Sequence, residues 1–413
     1  IESRIAALSG NEKQTLEIKL KNDPTRINES MVLQVEPQLF LAILNSIPFL
    51  IEYPYSSIDQ TLNRFVPLSI MNKMYENFPE LKKSVTKIPK RKTVTPAWDK
   101  DDPQRLIGLM ETPWIWQSEG MPASWPITDM LNPEIVKAQE ESKLELLKSA
   151  QNSDGGFPWI PGGRSDPYIT LYVLAGLSEA INFGVDLPSN IINRALSYCS
   201  NEIPKRLKPE PYDLAIVSYA AYVLTSYPSS EYSGAKAAHE AAKSWVVYLE
   251  KNIHALTALG KAYLAYTYLR LGDNIKANET LDMAMDGFQE DPVSGVYWTP
   301  EKYSWVWYSD TIEKHAFIIR TLTALRPDDK RIKGLIQWLL FNRKGNVWKS
   351  TKASAAAIYA LIDYMNKTGA LTADEIFNIE WGKNRDSIVI KADDWICLLY
   401  TSPSPRDRTR SRM

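Results

Sequence analysis

The sequence predicts a mainly α fold, an α/α toroid of about six helical hairpins flanked by fragments of β-sandwich. Three observations predict it. Apolar, Ala-rich helical stretches recur with starts 40 to 54 residues apart, the spacing of a helical-hairpin repeat. Between them lie more highly charged amphipathic helices, so an apolar inner ring inside an amphipathic outer ring buries the apolar face of both sets. Period-two alternation is confined to the two ends of the chain.

At the N-terminal end, "TLEIKL" (15–20) alternates, and "MVLQVEP" (31–37) is a second β-rich run ending at a proline, with polar "KNDPTRINES" as the connection. Residues 1–37 are therefore expected to be the C-terminal part of a β-sandwich domain. Residues 38–376 are expected to form the toroid. Its inner helices are a stretch beginning near Asp59 that carries "LNRFVPLSIMNKMY", then 168–181, 212–224, 256–272, 310–325 and 350–365. The outer set falls at about 134–149, 189–203, 236–250, 274–287 and 331–341. Alternation returns in "FNIEWGKNRDSIVIKADD", so 377–396 reads as the start of a following β domain. The final "CLLYTSPSPRDRTRSRM" (397–413) reads as a translated sequencing adapter that is not native, expected to pack against nothing.

Composition narrows the function. With 413 residues, 44% hydrophobic and 23% charged, the chain has an ordinary globular mix. A formal charge of −1 and the absence of a basic stripe argue against a nucleic-acid partner. No run approaches the roughly 18 apolar residues that span a bilayer, and "IESRIAALSG" lacks the order of a signal peptide. Setting aside 397–413 leaves Cys199 as the one cysteine, in an apolar helical context that reads as a small buried hydrophobe. No His, Cys, Asp and Glu cluster has zinc spacing, so neither metal nor cofactor is expected.

Two stretches carry motifs. In "QNSDGGFPWIPGGRSDPY" (151–168), four glycines permit unusual backbone angles and Pro158 and Pro161 fix the segments between them. Phe157 and Trp159 are then free to fold back over the toroid's mouth. Its beginning resembles a signature of α/α-toroid proteins at large, including terpene cyclases, prenyltransferases and thioester domains. The second stretch is "YPYSSIDQTLNRFVP" (53–67). Read locally, Ser56 or Ser57 is an N-cap and Asp59 complements the helix dipole.

The run "VEPQLFLAILNSIPFLIEYPYSSIDQTLNRFVPL" closely resembles the thioester region of bacterial alpha-2-macroglobulins, where a Tyr-Pro-Tyr run precedes Gly-Cys-x-Glu-Gln-Thr. "ETPW" (111–114), the 151–168 loop and "VWKSTKASAAAIYAL" (347–361) are similar to that family in the same order, so the resemblance spans about residues 15–396. In the family, the Cys sulfur is acylated by the Gln side chain with loss of ammonia. Here Ser56 stands for Gly, Ser57 for Cys, Asp59 for Glu and Gln60 for Gln, a degenerate motif. The downstream His that assists acyl transfer has no match among His239, His254 and His315. The resemblance implies a periplasmic or envelope-anchored endopeptidase inhibitor, not an enzyme, that entraps proteases after bait cleavage. Implied partners are target proteases, further β domains of the same chain, and a membrane anchor outside it.

Two other readings stay open. An α/α-toroid enzyme acting on polysaccharide needs paired carboxylates on the rim, for which Asp213, Asp310 and Glu313 are the candidates. A non-catalytic partner-binding scaffold needs a contact surface. The aromatic stretch 296–310, with Trp298, Tyr303, Trp305 and Trp307, either roofs the toroid or supplies that surface.

Overall fold

The structure, a computed structural model, describes residues 13, 15, 31–34, 42–43, 46–47, 50–51, 57–79, 81–83, 131–292, 294–298, 310–343, 347–368, 375–381, 384–390 and 399–402. Its helices are α1 (Ile58–Asn77), α2 (Pro133–Ala150), α3 (Pro167–Asn182), α4 (Ser189–Glu202), α5 (Pro211–Leu224), α6 (Ala235–Lys251), α7 (Ala258–Arg270), α8 (Asn274–Met285), α9 (Thr311–Leu325), α10 (Arg331–Phe341) and α11 (Thr351–Thr368). The odd-numbered helices pack side by side in sequence, and α11 packs back against α1, which closes a ring of six. Each even-numbered helix lies against the inner helix before it.

Residue chemistry sorts the rings. In α5, "PYDLAIVSYAAYVL", every residue from Asp213 to Leu224 is buried, as a helix enclosed by neighbours on all sides requires. In α6 the buried residues recur at Ala235, Ala238, Ala242, Trp245, Val246 and Leu249, a single stripe. Starts are well marked. Proline occupies the first turn of α2, α3 and α5, where its missing N–H costs nothing. Asp166, Thr257, Asp273 and Asp310 cap α3, α7, α8 and α9 through their side chains.

Ring closure rests on close contacts at α1. The Asn63 amide donates to Thr351 Oγ1 of α11 at 3.4 Å and accepts from the Tyr172 hydroxyl of α3 at 2.6 Å. Gly176 lets α3 approach α1, since a Cβ there would meet the Leu62 side chain at 2.7 Å. Pro67 lies inside α1 and removes one helical donor.

Among the described residues, three antiparallel strand pairs accompany the ring. β2 (Gln289–Asp291) and β3 (Gly295–Tyr297) form a hairpin against α10. β4 (Glu375–Trp381) pairs with β5 (Asn384–Ile390), which moves the expected 376/377 boundary: it falls inside β4. β1 (Met31–Gln34) pairs with β6 (Leu399–Ser402), so the 397–413 segment does not stand apart as expected. The physical reason is generic, because an unpaired strand edge accepts any extended segment whatever its sequence. The 15–20 run lies outside the described residues apart from Thr15. No helix among the described residues is long and apolar enough to cross a membrane.

Candidate functional site

Ser57 sits at the N-cap of α1 in extended conformation, φ −65° and ψ 162°, and its side chain makes no capping bond. Its carbonyl accepts from Thr61 twice, from N at 2.9 Å and from Oγ1 at 3.0 Å. Asp59 occupies the first turn, favourable toward the helix dipole. Gln60 follows Ser57 by three residues, so the two side chains share one turn. The Gln60 Oε1 is buried and has no hydrogen-bond partner among the described residues. Ser56, like Tyr53, Pro54 and Tyr55, lies outside them.

The glycine-rich loop covers this helix start. The Ile58 N–H, a group that a helix leaves unpaired, donates to the Trp159 carbonyl at 3.0 Å. The Trp159 ring leans on Tyr168 at 5.8 Å while remaining half exposed, and Phe157 is fully buried. The side chains of Gln151, Asn152 and Asp154 hold the loop itself. Asp154 Oδ1 accepts from Gly156 N at 2.9 Å and from Ser165 Oγ at 2.7 Å. Asn152 donates to the Gly163 carbonyl and to Ser165 Oγ, both at 3.0 Å. Gln151 donates to the carbonyls of Gly155 and Ile191, both at 2.9 Å. Gly155 has φ +90°, and a Cβ there would lie 2.5 Å from the Arg194 carbonyl oxygen. The motif is a device for fixing a loop over the mouth.

Two ionic layers cross the ring's interior. At the mouth, Lys352 of α11 meets Glu313 of α9 at 2.9 Å and lies over the Tyr168 ring at 5.4 Å. Burial pushes Glu313 up to about 7, with Lys352 offsetting only part of that cost. Burial also opposes the charge on Lys352, but Glu313 outweighs it and the lysine stays protonated. Beside them Lys349 pairs with Asp310. Deeper in, Arg320 of α9 bridges Glu179 of α3 and Asp363 of α11, each at 2.6 Å. The sequence reading missed this second layer. Its signal was available, since a charge on a helix that is apolar all round must find a partner inside, and Glu179 and Arg320 stand in such helices.

The enzyme candidates do not converge. Asp213 faces Arg206 at 3.7 Å, in the 3₁₀ turn Ile203–Arg206. Asp310 is a helix cap and Glu313 lies in the same turn, each neutralised by a lysine. No histidine joins Ser57. His315 is stacked on Trp338 with ring centroids 3.6 Å apart, and burial lowers its pKa to about 3, so it is neutral. His239 bonds the Tyr227 carbonyl through Nε2 at 2.8 Å.

Of the two readings of the 296–310 stretch, Trp298 takes the packed one. It is 5% exposed, its indole N–H shared between the carbonyls of Met285 at 3.3 Å and Asp286 at 3.2 Å, so it is packing and not a contact surface. Its edge-on contact with His315 at 4.9 Å explains why a tryptophan in an aromatic-rich stretch turned inward. Tyr303, Trp305 and Trp307 lie outside the described residues. Among the described residues no group of three His, Cys, Asp or Glu side chains is placed to hold a metal ion.

No protein-family profile matches the chain. It is 35% identical over 100 residues to an alpha-2-macroglobulin homolog of Yersinia pestis, covering 23% of this chain and 5% of that protein. It is 22% identical over 262 residues to an alpha-2-macroglobulin of Thermotoga maritima, covering 62% of this chain and 14% of that protein. A crystal structure of native alpha-2-macroglobulin from Escherichia coli, from domain MG7 to the C-terminus, aligns with a TM-score of 0.49 at 17% identity, over 86% of this chain and 47% of that one. The chain thus spans a small part of the length of the curated relatives that it matches. On those two sequence matches, it carries a region of the alpha-2-macroglobulin family.

Proposed function

We propose that this chain is the thioester-type region of a bacterial endopeptidase inhibitor that traps proteases without a covalent bond. One observation carries the reading. Where the family resemblance expects a thiol, Ser57 offers a hydroxyl at the head of α1, with no general base beside it among the described residues. A serine hydroxyl without an adjacent base is a poor nucleophile, whereas a thiol ionises near neutrality. The surrounding frame is kept: Gln60 is still one turn away, and the 151–168 loop is still fastened to Ile58. A frame retained around a lost nucleophile favours a structural duty at the mouth over acyl chemistry.

On this reading residues 38 to about 374 are the toroid, 1–37 and the β4–β5 pair belong to neighbouring β domains, and the 397–413 segment is not native. Target proteases are the partners. The periplasm or cell envelope is the compartment. The polysaccharide-enzyme reading gains no support, because its three carboxylates are neutralised or face apart.

The test uses a longer protein that carries this region, incubated with a broad-specificity protease. Cleavage of a large protein substrate should slow while that of a small chromogenic peptide does not, and denaturing electrophoresis should show no protease adduct. Equal rates on both substrates with and without the protein would reject trapping and leave a scaffold. An adduct resistant to denaturation would reject the non-covalent mechanism.

A further inference from the structure

Between the two ionic layers the ring holds a partly open cavity of about 70 Å³. Its aromatic lining alone suggests a dry core, but two hydroxyls contradict that. Tyr222 and Tyr359 both line it, and neither hydroxyl has a hydrogen-bond partner among the described residues. Tyr222 is 3% exposed, so bulk water does not serve it. The two residues stand on α5 and α11, opposite members of the six-helix ring, with the cavity between them. Glu179 and Arg320 line its deep end, and Glu313 and Lys352 its mouth end.

A buried hydroxyl left unpaired is costly, and buried polar groups nearly always find a partner in protein or in ordered water. Apolar cavities stay dry, whereas a polar one holds water when each molecule has at least 10–15 Å³ and two or more polar partners. This cavity meets both conditions. We propose that the bore of the ring is a built water site, holding about four or five ordered molecules that join the Tyr222 and Tyr359 hydroxyls to the ionic groups at the two ends. The toroid is then closed inside by a hydrogen-bonded water core bridging opposite helices, in addition to side-chain packing.

The first test is a crystal structure of the full chain at high resolution. Density peaks within about 3.2 Å of both tyrosine hydroxyls are expected; an empty bore, or density for an organic molecule, would overturn the proposal. Xenon pressurisation of the same crystals should leave the bore unoccupied by xenon, whereas a xenon site there would show it dry. Tyr222→Phe and Tyr359→Phe supply a reading in solution. In a wet bore each removes a satisfied hydroxyl and lowers the unfolding midpoint by about 2 °C. In a dry bore each removes an unpaired polar group, so an unchanged or raised midpoint would count against the proposal. Should either variant fail to fold, the diffraction and xenon measurements on the unaltered chain decide.

Discussion

Glu313 is the residue at which burial and charge pull hardest against each other. Its folded pKa of about 7 stands above the ordinary 4.5 because desolvation outweighs Lys352. Between those two pH values the folded chain binds more protons than the unfolded one, so this group's contribution is full below about 4.5 and is lost as pH rises through 7. The difference across the window is at most about 3 kcal/mol. In urea unfolding at pH 5 and pH 7.5 that loss should appear on top of the opposite trend from His315, which burial keeps neutral in the folded chain. Glu313→Gln cannot titrate and should remove that loss, whatever constant offset comes from leaving Lys352 without its carboxylate; parallel pH profiles for the two proteins would refute the assignment. On the proposed reading Ser57 presents the opposite case at the same scale, a position kept at the head of α1 without the thiol that the family resemblance expects.

Among the elements, α9 carries the most cross-links, since Arg320 ties it to α3 and to α11 from within the ring. Burial opposes the guanidinium charge, but Asp363 and Glu179 outweigh that and hold it protonated. Arg320→Met should cost about 3–5 kcal/mol because the buried Glu179 and the half-buried Asp363 lose their cation; a loss under about 1 kcal/mol in urea unfolding would mean that the layer is not coupled as described. The loop before α3 has its own weak point in Gly155. Gly155→Ala meets both a positive φ and the Arg194 carbonyl, and should destabilise by about 1–3 kcal/mol, with increased protease nicking near Trp159 as the local sign.

How much of this was legible depended on whether the signal was local. Inner and outer helices were readable because "YITLYVLAGLSEAI" is apolar all round while "AKAAHEAAKSWVVYLEK" is apolar on one stripe. The serine at the head of α1 was readable from spacing. The β2–β3 hairpin was not, because three-residue strands are too short for alternation to show and Gly295 is explained only by its approach to the Gly334 carbonyl of α10. Nor were the partners within the Glu179–Arg320–Asp363 layer, which lie 141 and 43 residues apart, although a charge on an apolar helix signals that some partner lies inside. Pairing at that distance is a property of the closed ring.

For the whole molecule, stability should follow ring closure and ignore the chain's last segment. The β1–β6 pair is a four-residue ladder, and an isolated two-stranded pair is marginal in water. Truncation after residue 396 should therefore leave the unfolding midpoint within about 2 °C, whereas a larger fall would make that segment part of the fold. The ring is also the frame that holds Ser57 and Gln60 together at a covered mouth, and whether that mouth retains any acyl chemistry is decided by mass. Intact-protein mass spectrometry of the purified chain, before and after methylamine, should give the unmodified sequence mass both times. Loss of one ammonia across Ser57–Gln60, or a methylamine adduct at Gln60, would contradict the non-covalent reading.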